Sequence, residues 1–430
     1  MNKKLSIKML TFSHGSEFAC LIDERGVPAY YENLYLIQEY YFKGGSSSSS
    51  IAALTSIKLL KKWEEHFDIN IKERFKHKKS LHQNEIRSLC SFARRKFKSF
   101  SPASQDKVIP VSKRARKRAQ NKSGIWAVSF ETQIYRLKYI RSYIEWLHTN
   151  FNFDDRLQRL EINKLFKAYT PKKKGADEDI NDGVDELVCK TVLETISPTS
   201  VNNFFGSHFT DTKKDIRNAI QLRNFLSIAI LYYSGIRRGE LLALRVEDLD
   251  FDKNTISIVR RHDDGVDKRK VKPHAKTRGR VIEIGVDLAN SIYSYIYNYR
   301  ANVPEARYHP FLLISHHGST KGQALSIDSL TSIFKRIREK VNISGIYDFN
   351  PHQLRYTWNN RFSKHCDLNR SQISFTNENE MRSYLMGWSP RSKMAELYNR
   401  RHIKLKAYEH SRQMQIDLGK VKEGSIDEIK

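Results

Sequence analysis

The sequence predicts a mainly α-helical, α+β chain of two domains, with a small antiparallel β-sheet in the second. Three observations predict it. Apolar residues recur at helical spacing between about residues 50 and 165, as in Ile51, Leu54, Ile57, Leu60, Trp63 and Phe67, and again in Ile134, Leu137, Ile140, Ile144 and Leu147. Alternating apolar residues, Ile256 with Ile258 and later Val281, Ile282 and Ile284, flank a charged loop and read as two or three strands. Between these regions, residues 171–186 (PKKKGADEDINDGVDE) switch from basic to acidic with no apolar period, which marks a linker.

Taken in order, residues 1–45 form an N-terminal appendage with strand-like alternation (Leu5, Ile7, Met9, Phe12) and a turn signal at Gly26 to Pro28. GGSSSSS at 44–50 reads as a short hinge that ends in a helix start, because serine before Ile51 is a good N-cap. Residues 46–170 are a helical domain, and within it VSKRARKRAQNK at 111–122 is a basic run. Residues 187–412 form the second domain and 413–430 a polar tail.

Composition restricts the partner. The 430 residues carry 75 Lys plus Arg against 48 Asp plus Glu, a formal net charge of +27. Such a surface favours a polyanion, and nucleic acid fits best, since neutralising phosphates releases counterions. No apolar run reaches the roughly 18 residues of a spanning helix, so no membrane partner is expected and the location expected is cytoplasmic. Cys20, Cys90, Cys189 and Cys366 lie far apart with no metal-ligand spacing and read as reduced, buried thiols. The signatures of ATP, dinucleotide and zinc sites are missing, so the expected cofactor is none.

The stretch YYSGIRRGELLAL at 232–244 places a glycine, two arginines and a glutamate between helically spaced apolar residues: Phe225, Ile228, Ala229 and Tyr232 before it, Leu241, Leu242 and Leu244 after it. It reads as a turn between two buried helices, and taken alone it is a C-cap glycine followed by a solvated turn. Three further stretches are HAKTRGRVIEI at 274–284, NPHQLRYTW at 350–358 and MGWSPRSKMAELYNRRH at 386–402.

Together, in this order, the four stretches resemble the signature boxes of the tyrosine recombinases, the phage-integrase family. The resemblance covers the C-terminal half well and residues 50–165 only through helical content and charge. It implies a two-domain DNA clamp in which 46–170 bind DNA and 187–412 catalyse strand breakage and rejoining through a 3′-phosphotyrosine, without cofactor or metal. By resemblance Tyr398 is the nucleophile, Arg237 and Arg355 clamp the phosphate oxygens, Lys276 protonates the leaving 5′-oxygen, His352 performs acid–base work, and Trp388 donates one hydrogen bond to phosphate.

These residue types suit the reaction. A phenol with an ordinary pKa of about 10 needs help to ionise, and forked guanidiniums can hold both non-bridging oxygens. Arg238 is expected at the surface and Glu240 as a structural partner of the turn. The chain departs from the family in a Trp388-to-Tyr398 interval one residue longer than the commonest form, a long stretch from Arg355 to Gly387, and Tyr356 where many members have histidine. The resemblance further implies double-stranded DNA as partner, a homotetramer on paired sites, integration or excision of a mobile element, and packing of the segment after Tyr398 against a neighbouring subunit. A type IB topoisomerase and a non-catalytic DNA-binding protein are the alternatives.

Overall fold

The computed structural model describes residues 5–12, 17–45, 47–96, 127–151, 155–171, 183–199, 204–205, 214–261, 265–269, 272–273, 277–369, 371–389, 392, 403 and 406–418. The basic run at 111–122, most of the 171–186 linker, Lys276 and Tyr398 lie outside the described residues. The chain divides into two compact units, Met1–Ala176 and Asp177–Lys430. The described residues are mainly helical, with a two-stranded and a three-stranded antiparallel sheet. Among them no helix is long and apolar enough to cross a membrane.

In the first unit, β1 (Ser6–Thr11) pairs with β2 (Glu17–Ile22) in a hairpin, followed by α1 (Tyr30–Leu36). The reading of residues 1–45 as an appendage differs from what the structure shows. Phe18 to Ile22, Tyr35 and Leu36 share one core with Leu54, Ile57, Leu60 and Trp63 of α2 (Ser47–Phe67). The hairpin buries a whole strand there, which a short sequence window cannot disclose. Asn33 of α1 fastens the two parts: its Oδ1 accepts from the Leu21 N–H at 2.8 Å and its Nδ2 donates to the Leu21 carbonyl at 2.8 Å. Helices α3 (Ile71–Lys76), α4 (Gln83–Phe92), α5 (Phe130–Phe151) and α6 (Arg156–Tyr169) complete this unit, with Leu137, Ile140, Ile144 and Leu147 turned into its core. Their spacing of three or four residues puts them on one helix face.

The second unit is built around α8 (Lys214–Ser234), whose Leu226 and the run from Ile228 to Tyr232 are all buried. From Leu226 to Tyr232 this helix is buried on every side, as befits the centre of a core, and α7 (Glu186–Ile196), α10 (Val286–Tyr295) and α12 (Pro351–Leu368) pack against it. α9 (Arg238–Ala243) follows α8 across a three-residue turn. Strands β3 (Leu249–Asp250), β4 (Thr255–Ile258) and β5 (Arg280–Glu283) form the small sheet, in register Leu249↔Ile256 and Ile256↔Ile282. The alternation holds: Ile256, Ile258 and Ile282 face inward and Val281 outward. Helices α11 (Ile327–Lys340) and α13 (Phe375–Met386) complete the unit. The four cysteines are buried thiols, none of them in a disulfide.

Candidate active site

Gly235 ends α8 with φ +64°, a left-handed conformation that L side chains resist. Its N–H closes on the Leu231 carbonyl at 3.0 Å, and a Cβ there would lie 2.7 Å from the Trp358 ring. The chain therefore reverses tightly and presents Arg237 at the N-cap of α9, half-buried, while Arg238 is exposed. Glu240, one turn on, accepts from the Arg237 N–H at 3.0 Å, which fixes the start of α9.

α12 supplies the next pair. Asn350 caps it, its Oδ1 accepting from the N–H groups of His352 and Gln353 at 3.0 and 3.1 Å, and Pro351 occupies the first turn. His352 and Arg355, three residues apart, then share a face. Arg355 is 3% exposed and donates from Nη1 to the Gly235 carbonyl at 2.7 Å and from Nη2 to the Met386 carbonyl at 2.9 Å. Arg237 Nη1 approaches the same Met386 carbonyl at 3.4 Å. One carbonyl at the end of α13 thus gathers guanidiniums from two distant parts of the sequence.

His352 is exposed and stands with its ring 4.8 Å from that of Tyr356. Partial burial, together with the positive charges of Arg355 and Arg237, holds its pKa below the ordinary imidazole value. A neutral imidazole is the form able to accept a proton. Trp388 is buried, at 6% exposure, and packs with Met386, Tyr356, Trp358 and Leu385; the Arg355 guanidinium lies 5.9 Å from its ring.

The segment from Thr277 to Arg280 closes the other side. Arg278 N–H donates to the Gly387 carbonyl at 3.1 Å, and Arg280 Nε donates to the Leu385 carbonyl at 2.6 Å. Arg280 Nη2 also pairs with Glu240 at 2.8 Å, and Thr277 Oγ1 donates to the same carboxylate. Burial alone raises the Glu240 pKa, but the Arg280 charge and the hydrogen bonds from Arg280, Thr277 and Arg237 outweigh it, so the net shift is downward and the group stays ionised. Gly387 has φ +64°, and a Cβ on it would sit 2.7 Å from Arg280 Nη1.

Of the sequence-predicted residues, the structure brings together Arg237, His352, Arg355 and Trp388, while Lys276 and Tyr398 lie outside the described residues. Arg280, Thr277 and the Met386 carbonyl were not singled out from sequence. Arg280 had one signal, an arginine in phase with Ile282 on the apolar side of a strand; a main-chain carbonyl has none. Among the described residues no cluster of three or more His, Cys, Asp and Glu could hold a metal ion. The arrangement sets the N–H donors of two fixed cations near an imidazole whose pKa is held low, suited to an oxyanion whose charge grows during reaction.

The chain is similar in sequence to known proteins over part of its length. Residues 207–375 match the phage integrase family model. Tyrosine recombinase XerC of Staphylococcus aureus is 21% identical over 221 residues, 51% of this chain and 64% of the relative. XerD of Halalkalibacterium halodurans is 22% identical over 190 residues, 41% of this chain and 57% of the relative. The chain therefore spans less than two thirds of the length of these relatives. A Tn1549 transposon integrase solved in complex with transposon right end DNA aligns with 87% of this chain and 99% of its own, at 13% identity and TM-score 0.46. Residues 207–375, which carry both arginine boxes, thus match a phage integrase domain, and over this region the chain is similar to the tyrosine recombinases.

Proposed function

We propose that this chain is a site-specific DNA recombinase that cleaves and rejoins strands through a 3′-phosphotyrosine at Tyr398 and integrates or excises a mobile element. The observation that carries the reading is the Met386 carbonyl, which holds Arg237 and Arg355 side by side with His352 next to them. In this reading the Tyr398 oxygen attacks phosphorus, a tyrosine O–P bond forms, and the P–O5′ bond breaks. The guanidiniums take up the charge on the non-bridging oxygens, His352 receives the phenolic proton, and Lys276 protonates the leaving 5′-oxygen. Rejoining is the reverse, with the bond energy conserved. Trp388, whose ring lies 5.9 Å from the Arg355 guanidinium, supports that arginine, and in this reading its indole N–H donates one hydrogen bond to the phosphate.

Double-stranded DNA is the partner, consistent with a net charge of +27, and residues 46–170 serve as its second binding domain beside the catalytic residues 187–412. Residues 406–418 are helical with Tyr408, Met414, Ile416 and Leu418 exposed, which supports assembly as a tetramer through this segment. The test is capture of a detergent-resistant protein–DNA adduct on DNA spanning the gene's own genomic flanks. Wild type should give an adduct mapping to one junction, and Tyr398→Phe none. Relaxation of plasmids without site preference would instead indicate a topoisomerase, and a gel shift with no adduct a non-catalytic binder.

A further inference from the structure

Behind the arginine pair lies a second polar network, walled from solvent. Arg382 of α13 is 0% exposed and forms an ion pair with Glu378, itself 1% exposed, one turn earlier. Its guanidinium also donates from Nη1 to the Asn359 carbonyl at 3.1 Å and Oδ1 at 3.3 Å, donates from Nη2 to Ser363 Oγ at 2.8 Å, and lies 5.0 Å from the Phe362 ring. Asn359, 1% exposed, then donates from Nδ2 to the Arg355 carbonyl at 2.8 Å and to Met386 Sδ at 3.4 Å.

From this we infer that Arg382 and Asn359 are positioning residues for DNA cleavage, an inference that rests on the reading proposed above. The geometry gives the reason. Met386 is touched twice: its carbonyl receives Arg355 and Arg237, and its sulfur receives Asn359. Asn359 also holds the main chain of Arg355 itself. Arg382, whose rigid fork spans α12 and α13, thereby sets the register between the helix that carries Arg355 and the carbonyl that steadies both guanidiniums. Burying a charge pair is costly to the fold, and a pair of apolar side chains would pack here as well or better. What apolar residues cannot supply is the fixed register, and displacement of a phosphate clamp by about 1 Å is enough to slow chemistry on the order of 100-fold.

The experiment uses the full-length protein and three variants: Arg382→Lys, the double variant Arg382→Met with Glu378→Met, and Asn359→Ala. Arg382→Lys keeps the charge opposite Glu378 but lacks the fork, and the double variant removes both buried charges so that neither is left unpaired. Melting temperature, DNA affinity by gel shift and single-turnover adduct formation are read on each. Adduct formation slowed on the order of 10–100-fold, at near-wild-type melting and affinity, is the expected result in at least the lysine and double variants. Wild-type adduct rates in the folded variants overturn the inference, and so does a loss of rate that only follows a parallel loss of melting temperature and affinity. Should wild type itself form no adduct, the recombinase reading fails first; the positioning inference fails separately when wild type reacts and the variants react equally fast.

Discussion

Replacing Glu240 by glutamine tests the centre of the site most directly. The Arg280 and Glu240 side chains are 1% and 0% exposed and meet at 2.8 Å, and the same carboxylate receives Thr277 and the Arg237 N–H. Glutamine keeps the volume and one acceptor oxygen but leaves the Arg280 charge buried without its counter-charge. Breaking a buried pair in this way costs about 3–5 kcal/mol. The surviving donations from Arg280 to the Leu385 carbonyl and to Thr277 place Glu240→Gln toward the low end, about 3 kcal/mol. That is a large part of the roughly 5–15 kcal/mol that holds a domain folded. Urea unfolding, followed through hydrogen exchange of α8 and β5 amides so that the second unit is read alone, measures it.

The same substitution carries a pH signature. Glu240 has a folded pKa below its unfolded one, which is about 4.3, so its contribution is present above the unfolded value and is lost as pH falls through the folded one. The difference between wild type and Glu240→Gln should therefore be full at neutral pH and shrink in acid. Adding Arg280→Met to Glu240→Gln should recover part of the stability, because the orphan charge is then gone. A loss under about 1 kcal/mol at neutral pH, or a gap that widens in acid, would refute the argument that this pair is a buried, mutually dependent one.

Other expectations follow from the same geometry. Gly235→Ala combines about 1–2 kcal/mol for a left-handed alanine with about 1–3 kcal/mol for a Cβ forced against the Trp358 ring, so chemical denaturation should show destabilisation by about 2–5 kcal/mol. In the free protein the His352 imidazole should titrate below the ordinary range, and Arg237→Ala should move its NMR midpoint upward, since a neighbouring positive charge is removed. An unmoved midpoint would mean the two groups do not sense each other. DNA affinity should fall steeply with salt, and replacing Arg116, Lys117 and Arg118 by glutamine should reduce the log–log slope by about 0.9 for each phosphate no longer neutralised, with little change in sequence preference.

Much of this protein is local and therefore legible in its sequence. The helical faces of Leu54 to Trp63 and of Leu137 to Leu147, the strand alternation at Ile256 and Ile258, and the glycine turn that presents Arg237 each depend on neighbours a few positions away, where spacing is set by backbone geometry. The excess of lysine and arginine, and the order of the four boxes, are likewise properties of the string itself. Tertiary structure alone decided what those residues lean on. Arg280 and Glu240 pair across forty positions, the hairpin strand β2 packs into the core of α2, and the Met386 carbonyl takes hydrogen bonds from Arg237 and Arg355. A carbonyl is present on every residue, so its residue type says nothing about which one will face two guanidiniums; only the packing of α13 against α12 and β5 brings that oxygen to the place where both can reach it.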